Sequence, residues 1–187
     1  YAAKGSFRKR VAVGKPPALS FHPFGHAASF GRLVFRLYVG RAVVMLRKFD
    51  VDVVAKLVAL HRIDTLQLTP AMVHMLAFDA GDHDLSSLRY VTSGTAPLPD
   101  TTRQAFEDRY DVPVLQAFGS TEGGVMALER YDDVIAGRRG PGSVGRITPD
   151  SEWRIVDPSG ADVARGEEGE LLGRPGEGLV TAQGVEP

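Results

Sequence analysis

The stretch VPVLQAFGSTEGG, residues 112–124, decides how the fold is interpreted. Its apolar beginning, residues 112–115, predicts a buried strand. An aromatic ring, a glycine, two hydroxyls and a carboxylate follow, and ligands of open α/β sheets bind at the carboxyl ends of strands. These residues suit a nucleotide. The ring can stack on a base, the glycine leaves its backbone accessible, the hydroxyls can donate hydrogen bonds to a phosphate, and the carboxylate can bind a metal ion. The alternative is a plain turn in which Ser120, Thr121 and Glu122 cap a helix.

Composition excludes several classes of function. The chain has 187 residues, of which 43% are hydrophobic and 24% charged, as in ordinary globular proteins. A net charge of -1 gives no electrostatic reason to expect nucleic acid or an anionic membrane as partner. No segment is long and apolar enough for a transmembrane helix. Cysteine is absent, which excludes thiolate chemistry and is compatible with the cytoplasm, the predicted location.

Short apolar runs alternate with helical patterns up to residue 115. Strands are predicted at residues 17–21, 42–46, 65–68, 88–94 and 112–115. The helical spacing predicts helices at residues 26–38 and 51–61, after Thr69-Pro70, and from Pro99 to Tyr110. In the first helix, Phe30, Leu33, Val34 and Leu37 form one apolar face. Alternation of this kind predicts an α/β fold with a mostly parallel sheet and flanking helices.

The character of the sequence changes after Tyr131. A loop at residues 138–142 precedes three strand-like segments with turn signals, and no helical pattern, between them. We therefore predict an α/β subdomain at residues 1–142, in which residues 1–16 are a leading segment. Residues 143–187 are predicted to begin a small β-barrel-like subdomain, truncated at the end of the chain.

Three clusters of ligand-type residues follow predicted strands. They are residues 21–26 (FHPFGH), residues 93–98 (SGTAPL) and residues 116–124 (QAFGSTEGG). Because the carboxyl ends of parallel strands share one edge of a sheet, the clusters are predicted to meet in one cleft. Arg138 and Arg139 are interpreted as a solvated pair in a loop, with an anionic ligand such as coenzyme A as the alternative.

The order of these motifs resembles the adenylate-forming, AMP-binding superfamily. The resemblance rests on His26, residues 84–89 (DLSSLR), residues 93–98, residues 118–122 (FGSTE) and residues 169–171 (GEL). Within the superfamily, residues 84–89 and the His26 segment favour the acyl-CoA synthetase branch, a fatty-acyl- or aryl-CoA ligase, over the adenylation domain of a peptide synthetase. A fatty acid is the expected substrate. Members use ATP and Mg²⁺ to form an acyl-adenylate and pyrophosphate, and most transfer the acyl group to coenzyme A.

The resemblance implies roles for individual residues. Thr121 and Glu122 are the implied catalytic residues: Thr121 donates to the α-phosphate and Glu122 binds Mg²⁺. His26, Gly94 and Phe118 border the acyl pocket. Phe118 stands where the family usually has tyrosine, and Thr95 replaces the commoner glycine. The implied nucleotide-binding residues are Gly94, Thr95, Ala96, Pro97, Ala117, Phe118, Gly119, Ser120 and Thr121.

Several parts of the family pattern fall outside the sequence. The phosphate loop would precede His26, the ribose-binding aspartate would follow residues 169–171, and the C-terminal lid domain with its lysine would follow that. We therefore expect a central fragment of an acyl-CoA ligase, inactive by itself, whose partners are a fatty acid, ATP and coenzyme A. Two alternatives stay open: a non-catalytic nucleotide- or acyl-binding remnant, and an adenylation domain that loads a carrier protein.

Overall fold

The computed structural model describes residues 14–79, 81–121, 123–149 and 152–174. The chain forms two compact units, Tyr1–Leu115 and Gln116–Pro187. Most of the leading segment predicted at residues 1–16 lies outside the described residues. The predicted domain boundary near residue 142 concerns a change in the type of element, and it stays a prediction.

Parallel strands organise the first unit, as the alternating sequence predicts. Its strands are β1 (Ala18–Ser20), β2 (Val43–Met45), β3 (Thr65–Leu68), β4 (Tyr90–Ser93) and the beginning of β5 (Val114–Ser120). β1 pairs in parallel with β2, β3 pairs in parallel with β4, and β1 also contacts β3. The Val91 N–H of β4 donates to the Pro113 carbonyl at 2.9 Å, immediately before β5. The predicted parallel sheet is confirmed.

Helices connect these strands and begin at the caps that the sequence predicts. They are α1 (Ala27–Tyr38), α2 (Val51–His61), α3 (Pro70–His74) and α4 (Asp100–Tyr110), and a π-helical turn at Met75–Asp79 extends α3. The Asp50 carboxylate accepts from the Val53 N–H at 3.1 Å, and the Thr69 hydroxyl accepts from the Met72 N–H at 3.4 Å. Each cap satisfies a donor that the first turn of a helix leaves without a partner.

The core of the first unit is a continuous apolar cluster. Val54 and Val58 of α2, Leu66 of β3, Val91 of β4 and Phe106 of α4 are almost completely buried in it. The alternation of buried and half-buried residues along β3 and β4 places one side chain in two in this cluster. Burial of apolar surface is therefore the main force that holds this unit together.

Helix α1 has the predicted bounds, but its apolar face is not buried. Phe30 and Leu37 are 57% and 60% exposed, and Val34 is also exposed. The other side of the helix carries Arg36, whose Nη1 donates to the Leu19 carbonyl at 2.8 Å. The helix therefore turns a polar side toward β1 and leaves its apolar stripe uncovered within the described residues.

The second unit is built on hairpins. Strand β5 runs on to Ser120, and β6 (Gly124–Leu128) pairs with it in antiparallel orientation. The prediction that the strand ends at residue 115 is thus wrong, because residues 116–120 continue it. The helix-capping alternative is also wrong, since a strand follows the turn. A short helix, α5 (Tyr131–Ile135), then leads to β7 (Arg146–Ile147), which pairs with β6.

The remaining strands are a separate antiparallel pair. β8 (Glu152–Val156) pairs with β9 (Glu170–Arg174), and Trp153 lies opposite Gly173. A Cβ at Gly173 would collide with the Trp153 ring, so glycine makes room for the indole. The change to β-rich structure is as predicted, although the described residues of this part form no closed barrel.

Candidate functional site

The signature stretch lies on the β5–β6 hairpin. The pairing register shifts between Phe118 and Gly119, as in a β-bulge. A Cβ on Gly119 would collide with the Gly124 carbonyl, so this position requires glycine. The turn is closed by the Ser120 hydroxyl, which accepts from the Gly123 N–H at 2.9 Å.

The hairpin presents the expected ring and hydroxyl to solvent. Phe118 is 41% exposed, and Ser120 and Thr121 are also exposed, while Ala117 is half-buried. An uncovered aromatic ring close to a hydroxyl donor is compatible with stacking on a base and donation to a phosphate. Glu122, the predicted metal ligand, lies outside the described residues. Among the residues that are described, no group of three or more His, Asp or Glu side chains could hold a metal ion.

The second predicted cluster forms the turn after β4. Ser93 is 2% exposed, and its hydroxyl has no hydrogen-bond partner among the described residues. Thr95 follows with a φ of 75°, a conformation that a β-branched residue rarely adopts. Gly94 is buried, whereas Ala96 and Pro97 are exposed. An unsatisfied hydroxyl and a strained residue in one turn are features that cluster at binding sites.

The first predicted cluster, residues 21–26, precedes α1. His26 is exposed at the start of this helix, and its backbone carbonyl accepts from the Ser29 and Phe30 N–H groups. Its neighbour His22 stacks on Phe21, with the ring centroids 4.8 Å apart. Burial, followed by the positive charge of Arg32, lowers the pKa of His22.

Arg32 adds a feature that the sequence does not reveal. Burial and the neighbouring Arg36 lower its pKa from 12.5 to about 10. The helical pattern indicates only that both arginines lie on the polar side of α1; their burial depends on the packing of the helix.

The predicted site residues are thus placed in both units. His26, Gly94, Thr95, Ala96 and Pro97 belong to the first unit, and residues 117–122 belong to the second. The convergence of the three clusters in one cleft stays a prediction.

The second unit contains a buried ion pair that the sequence does not predict. Glu129 is 4% exposed: its Oε2 accepts from the Gln116 N–H at 2.8 Å, and its Oε1 lies 3.1 Å from Arg139 Nε. Arg138 pairs with Asp133. The interpretation of Arg138 and Arg139 as a solvated pair is therefore wrong for Arg139, whose partner is buried. A glutamate ten residues before an arginine is too weak a signal to predict this ion pair.

The described part of the chain contains no helix that is both long and apolar enough to cross a membrane.

Comparison with protein families identifies one match over nearly the whole chain. The sequence model of the family described as AMP-binding enzyme matches residues 2–181.

Curated relatives of the chain are longer proteins. The chain is 35% identical over 140 residues to an indoleacetate–CoA ligase of Aromatoleum aromaticum, covering 74% of this chain and 27% of that protein. It is 32% identical over 175 residues to 4-coumarate–CoA ligase 1 of Oryza sativa subsp. japonica, covering 87% of this chain and 29% of that protein. The chain thus spans less than a third of the length of either relative.

Solved structures share the fold. The amide bond synthetase McbA from Marinactinospora thermotolerans is 31% identical, with a TM-score of 0.75 over 87% of this chain and 33% of that one. ATP-bound MatB from Rhodopseudomonas palustris is 26% identical, with a TM-score of 0.75 over 86% of this chain and 31% of that one.

Proposed function

The chain belongs to the AMP-binding enzyme family, and from this premise we propose that it is part of an ATP-dependent acid–CoA ligase. The complete protein would activate a carboxylic acid as an acyl-adenylate and transfer the acyl group to coenzyme A. The observation that carries the proposal is the family match over residues 2–181, joined to relatives that are named CoA ligases.

The hairpin residues supply the nucleotide side of the proposed site. The half-exposed ring of Phe118 is suited to stack beside adenine, and the exposed Thr121 hydroxyl is suited to donate to the α-phosphate. Attack by a carboxylate on the α-phosphorus increases the charge on the phosphate oxygens, so a fixed donor there stabilises the transition state. Gly119 lets β5 approach β6 closely, since a Cβ there would collide with the Gly124 carbonyl, and we propose that its backbone also contacts the nucleotide. Ala117 and Ser120 complete the proposed nucleotide contacts.

Glu122 is the proposed Mg²⁺ ligand, because carboxylate oxygens are the donors that this hard cation prefers. When bound, Mg²⁺ neutralises charge on the departing pyrophosphate.

The turn after β4 is proposed as the wall between adenine and the acyl group. A ligand atom that bonded to the Ser93 hydroxyl would satisfy a buried donor that has no partner among the described residues. Thr95 adds a branched side chain where the family commonly has glycine, and it is held at a φ of 75°. We propose that this side chain narrows the acyl pocket, which Gly94, Phe118 and His26 also border. Ala96 and Pro97 continue the wall.

Two classes of carboxylic acid and two classes of acyl acceptor are candidates for the reaction. A fatty acid is the substrate expected from the sequence, whereas the names of the indoleacetate and 4-coumarate ligases favour an aromatic acid. Thioester formation is the first candidate reaction. Amide formation is the second, because McbA, which is 31% identical, is named an amide bond synthetase. A cytoplasmic location stays a prediction.

The main test measures pyrophosphate release by the full-length parent protein with ATP and Mg²⁺. The panel contains fatty acids of several lengths, indoleacetate and 4-coumarate, each with coenzyme A or an amine as acceptor. We expect Glu122→Ala to lower the rate about 100-fold, the scale on which a stabilising group in the transition state acts. Glu168→Ala, at an exposed position, is the matched control.

Two results would contradict the proposal. Full activity of Glu122→Ala would refute the metal assignment. Absence of pyrophosphate release with every acid would favour a non-catalytic binding module. The isolated chain is expected to be inactive, and thioester formation by the 187-residue polypeptide would refute that expectation.

A further inference from the structure

The second unit contains a cavity of about 190 Å³ that none of the three ligand-type clusters lines, although Arg138 and Arg139 do. Its wall is formed by the end of the β5–β6 hairpin, by α5 and by the loop that leads to β7. The charged residues that line it are Glu129, Arg130, Asp133, Arg138, Arg139 and Arg146. Among the described residues, four guanidinium groups therefore face two carboxylates, which leaves an excess of two positive charges.

Both carboxylates are already engaged by donors. Glu129 accepts from Arg139 Nε at 3.1 Å and from the Gln116 N–H at 2.8 Å. Asp133 accepts from Arg146 Nε at 2.7 Å through Oδ2 and from Arg138 Nε at 2.9 Å through Oδ1. Hydrogen bonds from Arg146 and Arg138 lower the pKa of Asp133 to about 2, so its charge persists at neutral pH.

Arg130 is the cavity arginine that neither carboxylate contacts. It lies on the cavity wall just before α5, and no hydrogen bond or ion pair joins its side chain to another described residue. Asp133 carries one negative charge against two arginines, which supplies the second excess positive charge. The cavity thus has the charge of an anion site rather than that of a closed ion-pair network.

The loop at the rim of the cavity packs closely against β6. Gly145 has a φ of 93°, and a Cβ there would collide with the backbone of Leu128 and Glu129. Its N–H donates to the Ser143 hydroxyl at 3.1 Å. The loop therefore packs directly on β6, and this contact sets the position of Arg146 at the start of β7.

We propose that this cavity binds a phosphate group in its dianionic form. Guanidinium groups form paired hydrogen bonds with phosphate, and two negative charges match the excess. The volume is smaller than the roughly 300–1,000 Å³ of pockets that enclose whole small molecules. The ligand is therefore inorganic phosphate or the phosphomonoester of a larger molecule whose remainder stays outside, such as the 3′-phosphate of coenzyme A.

The test titrates the 187-residue chain with inorganic phosphate at constant ionic strength and follows the backbone amide resonances of Ser143 and Gly145 by NMR. We expect saturable shifts in the wild type, and binding about tenfold weaker in Arg130→Ala, which loses one charge-assisted contact. Arg130→Lys keeps the charge and is expected to lose less. The control is Arg165→Ala, an exposed arginine in the same unit that does not line the cavity.

A second arm identifies the source of the phosphate group. Coenzyme A and 3′-dephospho-coenzyme A are titrated against the wild type and Arg130→Ala. Tighter binding of coenzyme A, lost in the variant, identifies the 3′-phosphate. Equal binding of the two, with phosphate still bound, identifies inorganic phosphate.

The proposal is overturned if phosphate causes no saturable shifts, if chloride at equal ionic strength reproduces them, or if Arg130→Ala binds as tightly as the wild type. A far-UV circular dichroism spectrum of each variant shows whether it is folded. The titration requires no turnover, so its failure is distinguishable from failure of the ligase activity.

Discussion

The two units of the chain are stabilised in different ways. In the first unit, a continuous cluster of buried apolar residues joins the sheet to α2, α3 and α4. In the described part of the second unit, Ala127 and Val156 are the buried apolar residues, and Gln116 and Glu129 are buried polar ones. The second unit depends instead on hairpin pairing and on arginine–carboxylate contacts.

This difference has consequences for stability. Apolar burial has little dependence on pH, whereas the contribution of a carboxylate ion pair is lost when the acid is protonated. Exposed ion pairs are also screened by salt. The first unit should therefore respond most to loss of side-chain volume, and the second to loss of charge.

The largest effect is expected for Phe106→Ala. Phe106 is 0% exposed in the apolar cluster, and truncation of such a ring costs about 3–5 kcal/mol through lost burial and the cavity that remains. Urea unfolding followed by far-UV circular dichroism measures the change. Phe30→Ala on the exposed face of α1 is the control and should change stability by less than about 0.5 kcal/mol. Equal effects of the two substitutions would refute the proposed core.

A smaller loss is expected for Glu129→Ala. The substitution removes a buried carboxylate that Arg139 and the Gln116 N–H both contact, at a cost of roughly 3 kcal/mol. Trp153 is the single tryptophan and lies in the second unit, so its fluorescence follows unfolding of that unit. Glu168→Ala removes an exposed carboxylate and should have almost no effect. Stability that is unchanged in Glu129→Ala would mean that the ion pair does not hold the hairpin end.

The smallest effect concerns acid stability. Arg146 and Arg138 lower the pKa of Asp133 from 3.8 to about 2 in the folded chain. Because the folded pKa is the lower one, the stabilisation is present above about pH 4 and is lost as the pH falls toward 2. When the pH is lowered over that range, the stability of Asp133→Asn should therefore fall less than the stability of the wild type.

Melting temperatures followed by Trp153 fluorescence from pH 5 to pH 2 test this expectation. Asp132→Asn alters the neighbouring exposed carboxylate, which forms no ion pair with another described residue, and should behave like the wild type. Identical pH profiles of Asp133→Asn and the wild type would contradict the assignment.

Helices show how far the sequence alone predicts this fold. Helices α2 and α3 begin at Asp50-Val51 and Thr69-Pro70 because their caps are local, within three residues of the donors that they satisfy. The apolar stripe of α1 was predicted, but not whether it is buried, because a helical period identifies a stripe without identifying what covers it. In the structure, the polar side with Arg36 contacts β1.

The signature stretch shows the same limit at the candidate site. Its residue types and their order are sufficient to indicate the family, and the family model matches residues 2–181. The sequence did not predict that residues 116–120 continue a strand, because apolar periodicity stops at residue 115. Pairing with β6, the antiparallel partner that extends the strand, depends on Gly119, where a Cβ would collide with the Gly124 carbonyl.

The sequence by itself determined the α/β class, the parallel strands, the helix caps and the family, since each depends on short-range patterns or on motif order. Tertiary structure alone decided which face of α1 is buried, that the signature lies on a hairpin, and that Glu129 meets Arg139. The physical reason is that these features depend on which surfaces and charges come together from distant parts of the chain. No local pattern of residues 129–146 indicates that two carboxylates and four arginines surround one cavity.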